Sequence, residues 1–139
     1  KPFTLIVNVP EEMPLVKIDF GLMEQVLYNL LINSTQYAPP ASEIILSVFY
    51  SDGNMVIEVS DKGPGFPESE LKNVFKKFFR VEEHKAGGLG LGLSIAKGFV
   101  EAHNGTVSIE NQDNGGAKFT IKIPSEVPDI KNLKEADYE

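Results

Sequence analysis

Apolar and polar positions along the chain mark out a short series of elements. Phe3, Leu5, Val7 and Val9 alternate weakly and predict a strand, which Pro10-Glu11-Glu12-Met13-Pro14 turns into a short apolar segment, Leu15 to Ile18. Asp19 can then cap a helix running to about Tyr37: Leu22, Val26, Leu30 and Asn33-Ser34 recur at helical spacing, Leu27 and Leu31 widen the apolar face, and Pro39-Pro40 ends it. Two β-rich runs, Ile44 to Tyr50 and Met55 to Val59, flank Asp52-Gly53-Asn54, a strong hairpin signal. A short polar helix over about 67–74 and an aromatic cluster, Phe75, Phe78 and Phe79, come next, followed by a charged, turn-rich stretch to Gly88. Gly92 to His103 predicts a second long helix with Leu93, Ala96, Phe99 and Val100 on one face, closed by Asn104-Gly105. A last hairpin joins Thr106–Ile109 to Ala117–Ile123 around 111–116. Strands joined by tight turns imply a mixed, mostly antiparallel sheet with the helices massed on one face, a two-layer α+β sandwich.

The chain of 139 residues is 42% apolar and 24% charged, enough for one domain with a sizeable core. The expected domain covers residues 1–124. From Pro124 the periodicity stops, and residues 125–139 read as a linker or frayed tail. With no Cys there is no disulfide framework and no thiolate metal site, and no apolar run approaches the length of a membrane span. The start, Lys1-Pro2-Phe3, lacks an initiator Met and a signal-like stretch, so the chain reads as a piece of a longer protein.

The net charge of -7 argues against a nucleic-acid or anionic-membrane partner. It is unevenly spread. Within 62–97, Lys62, Lys72, Lys76, Lys77, Arg80, Lys85 and Lys97 outweigh Glu68, Glu70, Glu82 and Glu83, giving +3 there and -10 elsewhere. Six of the twelve glycines lie in the same window. A basic, glycine-rich stretch on an acidic body suggests a site for a small anion, because glycine lets backbone N–H groups approach phosphate.

Three constellations carry candidate chemistry. Asn29 and Asn33 are four apart on the first long helix, so their amides share a face, and an Asn carbonyl is a neutral oxygen ligand suited to Mg2+ shared with phosphates. The plainer reading is a pair of solvated amides. Asp61 ends a strand at D-x-G-x-G spacing with Gly63 and Gly65. A carboxylate there can accept from an exocyclic amine such as adenine's while the glycines admit a base, or the stretch is simply a turn. Gly88, Gly90 and Gly92, interleaved with Leu89, Leu91 and Leu93, lead into a helix N-terminus, a ready phosphate site. Gly-Leu alternation also occurs in packing turns, and neither the P-loop nor the Rossmann pattern is present.

Taken in order, Asn29/Asn33, Asp61-x-Gly63-x-Gly65, Phe75/Phe78 and Gly88-x-Gly90-x-Gly92 resemble the N, G1, F and G2 boxes of the ATP-binding domain of sensor histidine kinases, within the gyrase/Hsp90/histidine-kinase/MutL superfamily. The resemblance covers about residues 3–124. The stretches 63–67 and 115–119 look most like potassium-responsive Kdp-type sensor kinases. It implies a Bergerat-type α/β sandwich and an ATP-binding catalytic domain. By similarity, Asp61 would bind the adenine amine, Asn33 the Mg2+ with Asn29 beside it, and Tyr37 would pack on adenine. Gly63 and Gly65 would admit the base. Gly88, Gly90, Leu91 and Gly92 would carry the phosphate-facing end of a lid spanning 66–88, Phe75 and Phe78 would anchor that lid, and Arg80 would reach the terminal phosphates.

The resemblance also implies partners: a dimerisation and histidine-phosphotransfer domain of the same parent, a response-regulator receiver domain, and a parent that is a membrane-bound homodimer of the bacterial inner membrane with this domain in the cytoplasm. Neither His84 nor His103 suits the phosphoacceptor, and both read as structural or solvated. Departures from the family pattern are Gln36 where Lys is common, Leu89 where a small hydroxyl is frequent, and Ala117 where Ser or Thr often stands near the base. Each removes one polar contact, so modest ATP affinity is expected. Asn29 also stands where hydrolysing relatives carry a Glu base, and an amide cannot take a proton from water, so intrinsic ATPase activity is expected to be absent. The alternatives are a serine kinase or ATPase of the same superfamily and a binding module that has lost catalysis.

Overall fold

In the computed structural model, residues 3–12, 15–77 and 92–125 are described. The chain runs β1 (Thr4–Asn8), α1 (Phe20–Tyr37), β2 (Glu43–Ser51), β3 (Asn54–Ser60), a short 3₁₀ helix (Glu68–Asn73), α2 (Gly92–Ala102), β4 (Thr106–Asn111) and β5 (Ala117–Pro124). The sheet order is β1-β2-β3-β5-β4, with β1 parallel to β2 and every other pairing antiparallel. This is the expected two-layer α+β sandwich with a mixed sheet.

Local signals explain the elements. The Asp19 carboxylate accepts the Leu22 N–H at 3.0 Å, capping α1 at the residue expected to do so. Asp52 and Gly53 both take positive φ, as a two-residue hairpin matched to the strand twist requires, and β2 and β3 register from Ser51↔Asn54 outward. The short polar helix forms as a 3₁₀ turn over Glu68–Asn73.

β5 shows clean alternation. Ala117, Phe119, Ile121 and Ile123 are buried, while Lys118 and Lys122 lie on the other face, where Lys118 approaches Glu58 and Glu110. The buried row meets Met55, Ile57 and Val59 of β3, Met23, Val26 and Leu30 of α1, and Leu93, Ala96 and Val100 of α2. The α1 stripe therefore opens on Met23 where the spacing suggested Leu22, because the packing against the sheet and α2 sets the rotation of the helix. Phe75 packs edge-on to Phe119 with ring centroids 6.0 Å apart, as expected of an anchoring side chain, and Phe78 lies outside the described residues. Among the described residues, no helix is long and apolar enough to cross a membrane.

His103 has a structural task. Its Nδ1 lies 2.8 Å from the Phe99 carbonyl and its Nε2 accepts the Asp19 N–H at 2.9 Å, which assigns the ring proton to Nδ1. The ring thereby ties the start of α1 to the end of α2. His84 lies outside the described residues.

Candidate functional site

α1 is the spine of the site. Asn29, Asn33 and Tyr37 stand at successive turns along it, so the first and last are about 12 Å apart along the axis at ~1.5 Å per residue. At one end, a Cβ placed on Gly92 would stand 3.7 Å from the Asn29 amide carbon, so the N-terminus of α2 stands beside Asn29. At the other end, a Cβ on Gly63 would meet the Tyr37 carbonyl at 2.7 Å, so the loop after β3 packs directly on the last turn of α1. Asn29 and Asn33, the loop that follows Asp61 and, of the third constellation, Gly92 thus come together along α1.

Asn29 and Asn33 are half-buried, and neither amide has a hydrogen-bond partner among the described residues. Ser34, the next residue, is fully buried, and its hydroxyl has no partner among the described residues either. A buried hydroxyl in that state calls for a partner from outside the described protein atoms.

Asp61 leaves β3 beside β5 and is 4% exposed. Its Oδ1 accepts the Gly63 N–H at 2.8 Å and the Ala117 N–H at 3.3 Å, while Oδ2 takes no hydrogen bond from a described residue. Burial pushes its carboxyl above the ordinary 3.8, and the two backbone N–H groups oppose that rise without cancelling it. The result is a pinned carboxylate with one acceptor oxygen to spare. Tyr37 faces Phe66, ring centroids 5.4 Å apart and planes tilted by 55°.

Gly63 and Gly65 also have packing reasons that spacing does not reveal. Gly63 makes the close approach to Tyr37, and Gly65 takes φ +77 with its α-carbon against the Asn111 side chain. Both glycines thus have the packing and turn roles that the plainer reading of D-x-G-x-G gives them. Arg80, Gly88, Gly90 and Leu91 lie outside the described residues. The pattern reading overlooked Asn111 and Gln112, whose amides grip the 61–66 loop. Their only sequence signal is two consecutive amides at a strand end before a turn.

A family model described as "Histidine kinase-, DNA gyrase B-, and HSP90-like ATPase" matches residues 19–127. The sensor protein KdpD of Clostridium acetobutylicum is 39% identical over 125 residues, covering 87% of this chain and 14% of its own length. Among solved structures, the mycobacterial sensor histidine kinase MprB superimposes with a TM-score of 0.78 at 27% identity, covering 91% of this chain and 84% of that one. Full-length ShkA in complex with AMPPNP gives a TM-score of 0.77 at 25% identity, covering 91% of this chain and 26% of that one.

Proposed function

Because the chain belongs to the histidine kinase-, DNA gyrase B- and HSP90-like ATPase family, we propose that it binds Mg-ATP as the catalytic domain of a two-component sensor histidine kinase and presents the γ-phosphoryl to a histidine on a separate dimerisation domain. The observation that carries the reading is Asp61, held by Oδ1 with Oδ2 to spare on a loop that packs against the last turn of α1, about two helical turns from where the α2 N-terminus stands beside Asn29.

Each end of the site has its own task. Asp61 Oδ2 accepts from the adenine amine, and Gly63, seated against the Tyr37 carbonyl, holds the loop on which Asp61 meets the base. The N-terminal N–H groups of α2, at Gly92, face the phosphates. Arg80, Gly88, Gly90 and Leu91 belong to this phosphate end by the same reading. The donor set fits Mg2+ in one way. Two neutral amide oxygens, Asn33 with Asn29 beside it, hold the ion weakly alone and well when phosphate oxygens complete the shell. Bound Mg2+ supplies charge neutralisation across the phosphates.

Transfer then depends on bringing an acceptor in line with the γ-phosphoryl. Asn29 offers no base to activate water, so the phosphoryl group is kept for the acceptor. The KdpD relative is about seven times longer than the matched segment, which leaves room for the dimerisation domain, sensor regions and membrane anchor that this reading assigns to the parent, and a receiver domain would take the phosphoryl next.

The test is calorimetric titration of the chain with ATP, with and without Mg2+, followed by labelled-phosphate incorporation when the chain is joined to its upstream two-helix segment. Micromolar to millimolar binding that requires Mg2+, with label on the helical segment, is expected. Absence of nucleotide binding would refute the proposal.

A further inference from the structure

Asn111, the last residue of β4, reaches across to the loop that follows β3. Its Oδ1 accepts the Phe66 N–H at 2.9 Å, and its Nδ2 donates to the Phe66 carbonyl at 2.7 Å and to Glu68 Oε2 at 3.2 Å. One side-chain amide thus pairs with a residue 45 positions away as a neighbouring strand's backbone would. Gln112 follows, and its Nε2 donates to the Asp61 carbonyl at 3.2 Å. Consecutive amides therefore hold both ends of segment 61–66. Between those ends Gly65 sits at φ +77, where a Cβ would stand 2.5 Å from Asn111 Oδ1.

We propose that Asn111, assisted by Gln112, is a positioning residue for nucleotide selection: it clamps the 61–66 loop in the shape that aims Asp61 Oδ2 at the base, and so sets the preference for adenine over guanine without touching the nucleotide. The proposal rests on the nucleotide reading above. A six-residue loop with two glycines has many shapes open to it, and each one removed before binding lowers the cost of binding. Guanine presents a carbonyl where adenine presents its amine. A carboxylate held rigidly there repels that carbonyl, whereas one on a slack loop swings aside.

The experiment titrates the chain, its Asn111→Ala variant and its Gln112→Ala variant with Mg-ATP and Mg-GTP, with circular dichroism confirming the folded state at the titration temperature. Asn111→Ala is expected to bind Mg-ATP about tenfold more weakly, the equivalent of one net hydrogen bond, and to lose most of its preference over Mg-GTP. Gln112→Ala moves the same way by a smaller factor. A purely structural role lowers the folded fraction but leaves the ATP-to-GTP ratio unchanged. If both variants keep the wild-type ratio, the clamp is refuted while the nucleotide reading stands. If the wild-type chain binds neither nucleotide, both fall. Should Asn111→Ala fail to fold, Gln112→Ala alone decides, since its half-buried side chain makes fewer bonds.

Discussion

Replacing Asp61 by Asn changes one atom's chemistry at nearly constant shape, and the structure separates its effects on binding and on stability. With the amide oxygen kept in the Oδ1 position, the bonds from Gly63 and Ala117 survive, and an NH2 group takes the place of Oδ2. That group would face the adenine amine donor to donor. Flipping the amide only moves the conflict, because NH2 would then oppose two backbone N–H groups. The loss is a hydrogen bond to a charged acceptor, about 1.5–3 kcal/mol, plus an unpaired buried donor at about 1–3 kcal/mol. Mg-ATP affinity should therefore fall by roughly two to four orders of magnitude, at about 1.4 kcal/mol per tenfold.

The unliganded domain should behave differently. Burial raises the Asp61 pKa in the fold, so the folded chain binds the proton more tightly than the unfolded one. Well below 3.8 the group is protonated in both states and contributes no pH dependence. As pH rises from 3.8 through the raised folded value, the buried carboxyl ionises and stability is lost. Asp61→Asn removes that loss, so at neutral pH its melting temperature should equal or exceed the wild type's, and the pH-dependent difference should vanish below 3.8. Over the same interval wild-type Mg-ATP affinity should rise, since only the carboxylate accepts from the amine. Calorimetry and thermal melts between acidic and neutral pH check both parts. A folded Asp61→Asn chain binding Mg-ATP within about threefold of wild type would refute the reasoning.

Asn33→Ala removes a half-buried amide with no partner among the described residues, so its stability should stay within about 0.5 kcal/mol of wild type while the Mg2+ dependence of ATP binding collapses; an unchanged response to chelator would count against the metal role. Gly116→Ala should destabilise the fold by at least about 2 kcal/mol in urea, because Gly116 has φ +91 and a Cβ there would collide with the Asp61 carbonyl. His103→Phe keeps the ring volume but leaves the Asp19 N–H without its acceptor, and a loss of about 1 kcal/mol with no change in ATP affinity is expected from melts and titration.

Much of this protein is written locally. The Asp19 cap, the Asp52-Gly53 hairpin, the β5 alternation and the helix over 92–102 each depend on residues within a few positions of one another, and each forms where the pattern predicts. The order of Asn29/Asn33, Asp61-Gly63-Gly65 and Gly92 was equally readable, because each constellation occupies a short span. Tertiary contact decided the rest. The pattern contains neither the parallel pairing of β1 with β2 nor the insertion of β5 between β3 and β4. Met23 displaces Leu22 from the core because of what α1 packs against, and His103 bonds a residue 84 positions away. Periodicity records which side of an element is apolar. The reasons for a bare glycine at 63, a left-handed one at 65 and an amide at 111 arise from distant chain segments brought to the same few ångströms, and only the folded structure brings them there.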